Sequence, residues 1–168
     1  MKWSQLKKRI ENNFADSVKG RVEVWNTRYR KSCDREGEAW ITIDKKRVYS
    51  FGTYTCYREA YLEAKRIQDQ EKGTEAKTQD QSAISGRAYS EARENVRKAN
   101  ILPLWDINAL LFGYLKLSIQ EILTSENAIV RALGMIDKRF GKRRLKTLDV
   151  KVDHPLLKIL YEFRCRSE

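Results

Sequence analysis

Two indoles, Trp25 and Trp40, fall among a dense set of cations that includes Arg28, Arg30, Lys45, Lys46 and Arg47. Aromatic rings stack on bases or pack against sugars, while arginine and lysine neutralise phosphates, so this mixture suits a nucleic-acid contact. The same rings are equally at home in a core if helices cover both sides of their sheet. A second basic stretch, DKRFGKRRLK, places Lys138, Arg139, Lys142, Arg143, Arg144 and Lys146 between positions 137 and 146. It reads as a phosphate-facing patch, or as a cationic helix C-terminus followed by a solvated loop.

The residues that catalysis needs do not converge. Asp44, Glu23 and Glu38 fall on adjacent predicted strands, but their alternation does not bring them to one point, and pairing with arginine accounts for them. The single histidine, His154, stands just before a proline that starts a helix. Cys33, Cys56 and Cys165 are odd in number and lack paired spacing, which argues against a disulfide framework and against zinc. There is no glycine-rich phosphate loop and no nucleophile elbow. The expectation is a protein with no catalytic residues, no metal and no cofactor, and so not an enzyme.

The 168 residues carry a net charge of +11, with a pI near 9.6. Such a surface favours polyanionic partners and salt-sensitive association. Residues 1–66 hold 16 Lys/Arg against 9 Asp/Glu, so much of the excess surrounds the tryptophans. The N-terminus has no continuous apolar run of signal-peptide type, and no stretch approaches membrane-spanning length. A reduced, cytoplasmic protein with no membrane contact is expected.

Positioning these residues requires a small sheet. Trp3, Leu6, Ile10 and Phe14 mark one face of a first helix over 3–15. RVEVWNTRYRKS alternates as a strand, with Val22 and Val24 on one side and Trp25, Thr27 and Tyr29 on the other. CDREGE is a polar turn. AWITID puts Ala39, Ile41 and Ile43 opposite Trp40, Thr42 and Asp44. A tight turn at Asp44-Lys45-Lys46 leads into RVYSF, and a helix follows from about Tyr57. With matched registers, Trp25, Tyr29 and Trp40 share a face with Arg21, Lys31 and Arg47 nearby.

The polar segment QDQEKGTEAKTQDQS cannot bury a core and reads as a linker or solvated helix end. Helices are expected over 84–99, after Asp106 as cap, over SIQEIL, from a Ser125 cap to Gly141, and after Pro155. A short strand at 148–152 is the one further strand. The fold class is α+β: a helix, a three-stranded antiparallel sheet and a helix in residues 1–68, a polar linker or helix extension at 69–83, and an all-helical part at 84–168.

Within this frame, AWITIDKKRVYSFGTYTCYREAYLEA (residues 39–64) resembles the AP2-type DNA-binding module through Trp40, Arg47, Val48, Gly52, Thr53, Tyr54, Glu59 and Ala60. That resemblance implies a sheet packed on a helix and laid in the major groove. It nominates Trp40 and Arg47 as contacts, with Arg28 and Arg30 candidates by position on the preceding strand. One extra residue between Arg47 and Gly52 departs from the family pattern, as do Glu36 and Glu38 in the strand turn. The helix IVRALGMID also resembles the second helix of a HEAT-type pair, which implies a protein-binding scaffold. Over most of its length, through RVEVWNTRYR, GEAWITID, NAIVRALGMIDKRFGKRRL and HPLLKILYEFRC, the chain resembles a small family of uncharacterised bacterial proteins. This implies a bacterial origin and a free-standing chain, with no activity attached.

Two readings follow. In the first, DNA or RNA binds the aromatic and basic sheet face through Trp25, Arg28, Arg30, Trp40, Lys45, Lys46 and Arg47. In the second, the protein is an interaction module such as an immunity protein, antitoxin or accessory subunit, and its charge steers an acidic protein partner.

Overall fold

The computed structural model describes residues 2–29, 37–72, 84–147 and 154–168. Residues 33–36 of the expected polar turn, 73–83 of the expected linker and the expected strand at 148–152 lie outside the described residues, whereas Gly37 and Glu38 of that turn are strand and 69–72 are helix.

Alternation of apolar and polar side chains builds β1 (Val22–Arg28), β2 (Gly37–Ile43) and β3 (Lys46–Gly52), antiparallel in the order β1-β2-β3. Val22, Val24, Ala39, Ile41 and Phe51 are buried, which identifies the covered side. Trp25 lies opposite Trp40, and Glu23 opposite Thr42, on the other side. Asp44 and Lys45 close the β2–β3 hairpin with φ of 48° and 66°. Two consecutive left-handed residues make the turn whose twist matches that of paired strands. Arg21 holds it with a two-pronged contact to the Asp44 carboxylate, at 2.8 and 2.7 Å.

A β-bulge interrupts β3. Tyr49 pairs with Ile41 but Arg47 pairs with Thr42, so Val48 is the unpaired residue. The bulge puts Val48 and Tyr49 on the covered side in succession, and this leaves both Arg47 and Ser50 on the side of Trp40.

The covered side rests on helices drawn from both ends of the chain. These are α1 (Trp3–Glu11), α4 (Leu104–Tyr114) and α8 (Pro155–Ser167), with α6 (Ala128–Ile136) packed behind them against α8 and α4. One continuous cluster of buried residues includes Ile10, Phe14, Val24, Ile41, Ile107, Leu133 and Leu157. Asn26 of β1 donates to the Asn108 side chain of α4 at 2.7 Å, which ties the sheet to the helical layer. The short helices α5 (Ile119–Leu123) and α7 (Lys142–Thr147) complete this part. Separately, α2 (Thr53–Lys72) packs against α3 (Gly86–Lys98), with Ala60 and Ala64 buried on one helix and Ala88, Ala92 and Val96 on the other. Small residues let the two backbones approach closely.

Several boundaries differ from the sequence expectation. The first helix stops at Glu11 rather than near residue 15, because non-local backbone bonds capture the next residues. Ala15 donates to Ile136 at 2.8 Å, and Lys138 donates to Asn13 at 2.7 Å. The same pairing draws the chain out of helix α6 at Asp137, well before Gly141, although Phe140 is still buried. Asn127, not Ser125, caps α6 by accepting from Ile129 and Val130 at 3.0 and 3.2 Å. Asp106 sits in the first turn of α4 rather than before it, since Pro103 already occupies the cap position. Helix α2 begins at Thr53, directly from β3.

His154 is a structural cap. Its Nδ1 accepts from the Leu156 backbone N–H at 3.2 Å, so the proton resides on Nε2, which donates to the Tyr49 hydroxyl at 3.1 Å. Replacing His154 with Ala is expected to cost about 1–2 kcal/mol in urea denaturation. His154→Asn restores the cap and should recover part of that loss, which ranks wild type above Asn and Asn above Ala.

Candidate aromatic interface on the open sheet face

The side of the sheet that carries the tryptophans is open. Helix α1 does not roof it but runs along the outer edge of β1. There, Lys7 Nζ donates to the Val24 carbonyl at 3.0 Å, and the Val24 N–H donates to Glu11 Oε1 at 2.9 Å. The helix thus satisfies the edge backbone groups with an i,i+4 ion pair, Lys7–Glu11 at 2.9 Å. Trp25 and Tyr29 remain 37% and 39% exposed, and Trp40 is half-buried.

Across this face the side chains form a column in the order α1, β1, β2, β3. Lys7 Nζ lies 3.7 Å from the Trp25 ring centroid. The Trp25 and Trp40 rings are stacked with centroids 6.4 Å apart and planes inclined by 13°. The Arg47 guanidinium carbon lies 4.3 Å from the Trp40 centroid. The outer face of each indole is therefore occupied by a cation from its own chain, and the rings offer their edges to solvent. Tyr29 extends the aromatic surface onto α2, with its ring 6.2 Å from that of Tyr54, which is 58% exposed. Burial first, and then the Glu38 carboxylate, raise the Tyr29 pKa, so its phenol is a neutral hydrogen-bonding group.

Among the described residues, each cation of the column or its rim is matched by a carboxylate. Lys7 pairs with Glu11, Lys45 with Glu23 at 2.8 Å, and Arg47 with Glu38 at 3.5 Å. The face is aromatic and locally charge-balanced.

Of the residues singled out in the sequence, Trp25, Trp40 and Arg47 are brought together, with Lys45 at the rim. Arg28 lies opposite Gly37, an odd number of residues from Trp25, and so belongs to the other side of the sheet, exposed at its end. Lys46 also lies on that side, in a groove with Arg21, Ile43 and Phe163. Arg21 stacks on Phe163 at 4.6 Å and is not near the tryptophans. Arg30 and Lys31 lie outside the described residues.

The second basic stretch is divided. Arg139 folds back onto the buried Asp137 at 2.7 Å and donates to the Leu117 carbonyl at 2.8 Å. Lys138 donates to the Asn12 carbonyl at 2.8 Å, and Lys142 faces Glu168. Arg143, Arg144 and Lys146 are exposed and form no ion pair among the described residues.

Sequence reasoning did not nominate Lys7, Glu11 or Tyr54. The i,i+4 spacing of Lys7 and Glu11 was visible, but nothing local says that a helix face meets a strand edge. Among the described residues no group of His, Cys, Asp and Glu could hold a metal ion, and no helix is long and apolar enough to cross a membrane.

No curated protein and no solved structure matches the chain. The likeness noted along most of the sequence corresponds to a family profile that matches residues 2–165, and the chain belongs to the SF0329 protein family.

Proposed function

We propose that the protein is an interaction module that docks a protein partner on its open sheet face, through Trp25, Tyr29, Trp40, Tyr54 and Arg47. The observation that carries this reading is the column itself: aromatic edges and a guanidinium on a sheet, with Lys7, Lys45 and Arg47 each matched by a carboxylate. Tryptophan, tyrosine and arginine are the side chains enriched at the centres of protein interfaces, where charge is balanced and water is excluded. Nucleic acid would ask more of this face. Base stacking would require displacing Lys7 or Arg47 from an indole, and phosphate neutralisation would compete with Glu11, Glu23 and Glu38. The net charge of +11 then acts at long range and steers an acidic partner toward docking.

A contact with DNA or RNA is the second reading. It is favoured at a different place, by Arg143, Arg144 and Lys146 of α7, which form no ion pair among the described residues.

One experiment separates them. Wild type and a Trp25→Ala/Trp40→Ala variant are purified from the native cell, and each is titrated against labelled duplex and single-stranded DNA and RNA at low salt. Under the proposed function, a stoichiometric protein accompanies wild type, and its affinity falls at least about tenfold in the variant. Nucleic-acid binding, if present, does not change with the tryptophans. Salt-sensitive nucleic-acid binding that collapses in the tryptophan variant would sink the proposal. A loss confined to an Arg143→Ala/Arg144→Ala/Lys146→Ala variant would establish the second reading.

A further inference from the structure

The junction of α2, α3 and α4 forms a cleft of about 170 Å³ that shares no lining residue with the tryptophan column. Cys56 and Tyr57 come from α2, Arg93 and Arg97 from α3, and Trp105 and Asp106 from the first turn of α4. A second cleft of about 340 Å³ adjoins it, because Arg97 and Asp106 line both.

The charge pattern of the helical pair sets this place apart. Arg58, Arg66 and Arg87 are each paired with a glutamate: Glu59 at 2.8 Å, Glu63 at 2.9 Å, and Glu71. Lys98 lies 3.9 Å from Glu94. Arg93 and Arg97, one turn apart on α3, form no ion pair among the described residues, and both point into the same cleft. Two guanidiniums at that spacing suit the oxygens of a single phosphoryl or carboxyl group. Beside them Trp105 is 45% exposed, and its indole with the Tyr57 ring supplies flat apolar surface. Asp106 adds a half-buried acceptor for ring N–H groups. Burial raises the pKa of the Cys56 thiol, so that group stays neutral and does not repel an anion.

We propose that this cleft is a binding site for a small planar ligand that carries an oxyanion, of the chemistry of a nucleoside monophosphate. The phosphoryl group is held by Arg93 and Arg97, the base lies against Tyr57 and Trp105, and Asp106 accepts from the base N–H groups. A ligand that lacks any one of these features leaves part of the cleft unused. This site is distinct from the aromatic interface and does not depend on the function proposed for it.

The test is calorimetric titration of the full chain with AMP and GMP, with adenosine, guanosine and inorganic phosphate as controls. Amide chemical shifts of residues 56–60, 93–97 and 105–106 report the location. Saturable binding of at least one nucleotide is expected, weakened about tenfold in Arg93→Ala/Arg97→Ala and by a smaller factor in Trp105→Ala. Binding should be unchanged in Trp25→Ala/Trp40→Ala, so failure here is distinguishable from failure of the protein-docking reading. The proposal is overturned if neither nucleotide saturates. Binding that ignores the two arginines, or phosphate alone binding as tightly as the nucleotides, overturns it equally.

Discussion

Replacing Asp137 with Ala should cost the protein about 2–4 kcal/mol, the loss of several charge-assisted hydrogen bonds to a fully buried carboxylate whose partner Arg139 is itself about a third exposed. Asp137 is completely buried where the chain leaves α6. Its carboxylate accepts from the Tyr114 hydroxyl at 2.5 Å and from Arg139 Nε and Nη2 at 3.0 and 2.7 Å. The Arg139 backbone N–H adds a further bond at 2.9 Å. Burial first, and then the Asp137 charge, push the Tyr114 pKa far up, so the phenol keeps its proton and acts as donor. Without the carboxylate, a guanidinium and a buried hydroxyl lose their acceptor together. Asp137→Asn keeps acceptor atoms but not the charge and should fall between wild type and Ala. Tyr114→Phe removes one bond and should cost about 1 kcal/mol. Urea denaturation measures all three. A loss below about 1 kcal/mol for Asp137→Ala would place the group among exposed pairs of little worth and contradict this account.

Gly37→Ala is the second large effect, with an expected loss of about 3 kcal/mol. The glycine pairs with Arg28 at the end of β2. An added Cβ would lie 2.1 Å from the Thr27 carbonyl oxygen and 2.6 Å from Leu104 Cδ2. The first contact is with backbone of the neighbouring strand, so no rotamer change relieves it. The strand end must part from β1 or from α4, and either movement opens the core beneath. Gly134→Ala is the informative comparison: its worst contact, at 2.6 Å, is with a side-chain methyl, Ile122 Cγ2, rather than with backbone. Denaturation midpoints should rank wild type above Gly134→Ala and Gly134→Ala above Gly37→Ala. The reverse order would show that β1 and β2 yield more readily than their pairing suggests.

What could be read in advance follows from the range over which each property is decided. Strand faces are a local matter of alternation, so the sharing of one side by Trp25 and Trp40 was legible, as was the tight turn at Asp44-Lys45. Arg28 was grouped with Trp25 by its position on the strand preceding Trp40, although an odd separation along that strand already assigned it to the opposite side. Arg47 is on the side of Trp40 because the two-residue turn sets it opposite Thr42; the bulge at Val48, a feature of pairing rather than of the β3 sequence alone, decides that Ser50 and not Tyr49 lies opposite Trp40. The helix ends near residues 11 and 136 were hidden for a similar reason. They are decided by backbone bonds between segments more than a hundred residues apart. That Glu23, Glu38 and Asp44 pair with cations was anticipated, but which cation each takes, Lys45, Arg47 and Arg21 in turn, is decided only once the three strands are in register. Arg139 looked like part of a cationic surface patch, and only the burial of Asp137 turns it inward.

Lys7 carries a double duty with a cost for anyone redesigning this surface. One ammonium group both plugs the flank of the sheet, where a foreign strand would otherwise zip on, and lies over the first indole of the column. Guarding against self-association and shaping a docking surface are thereby fused in a single side chain. Neither property can be retuned there without disturbing the other.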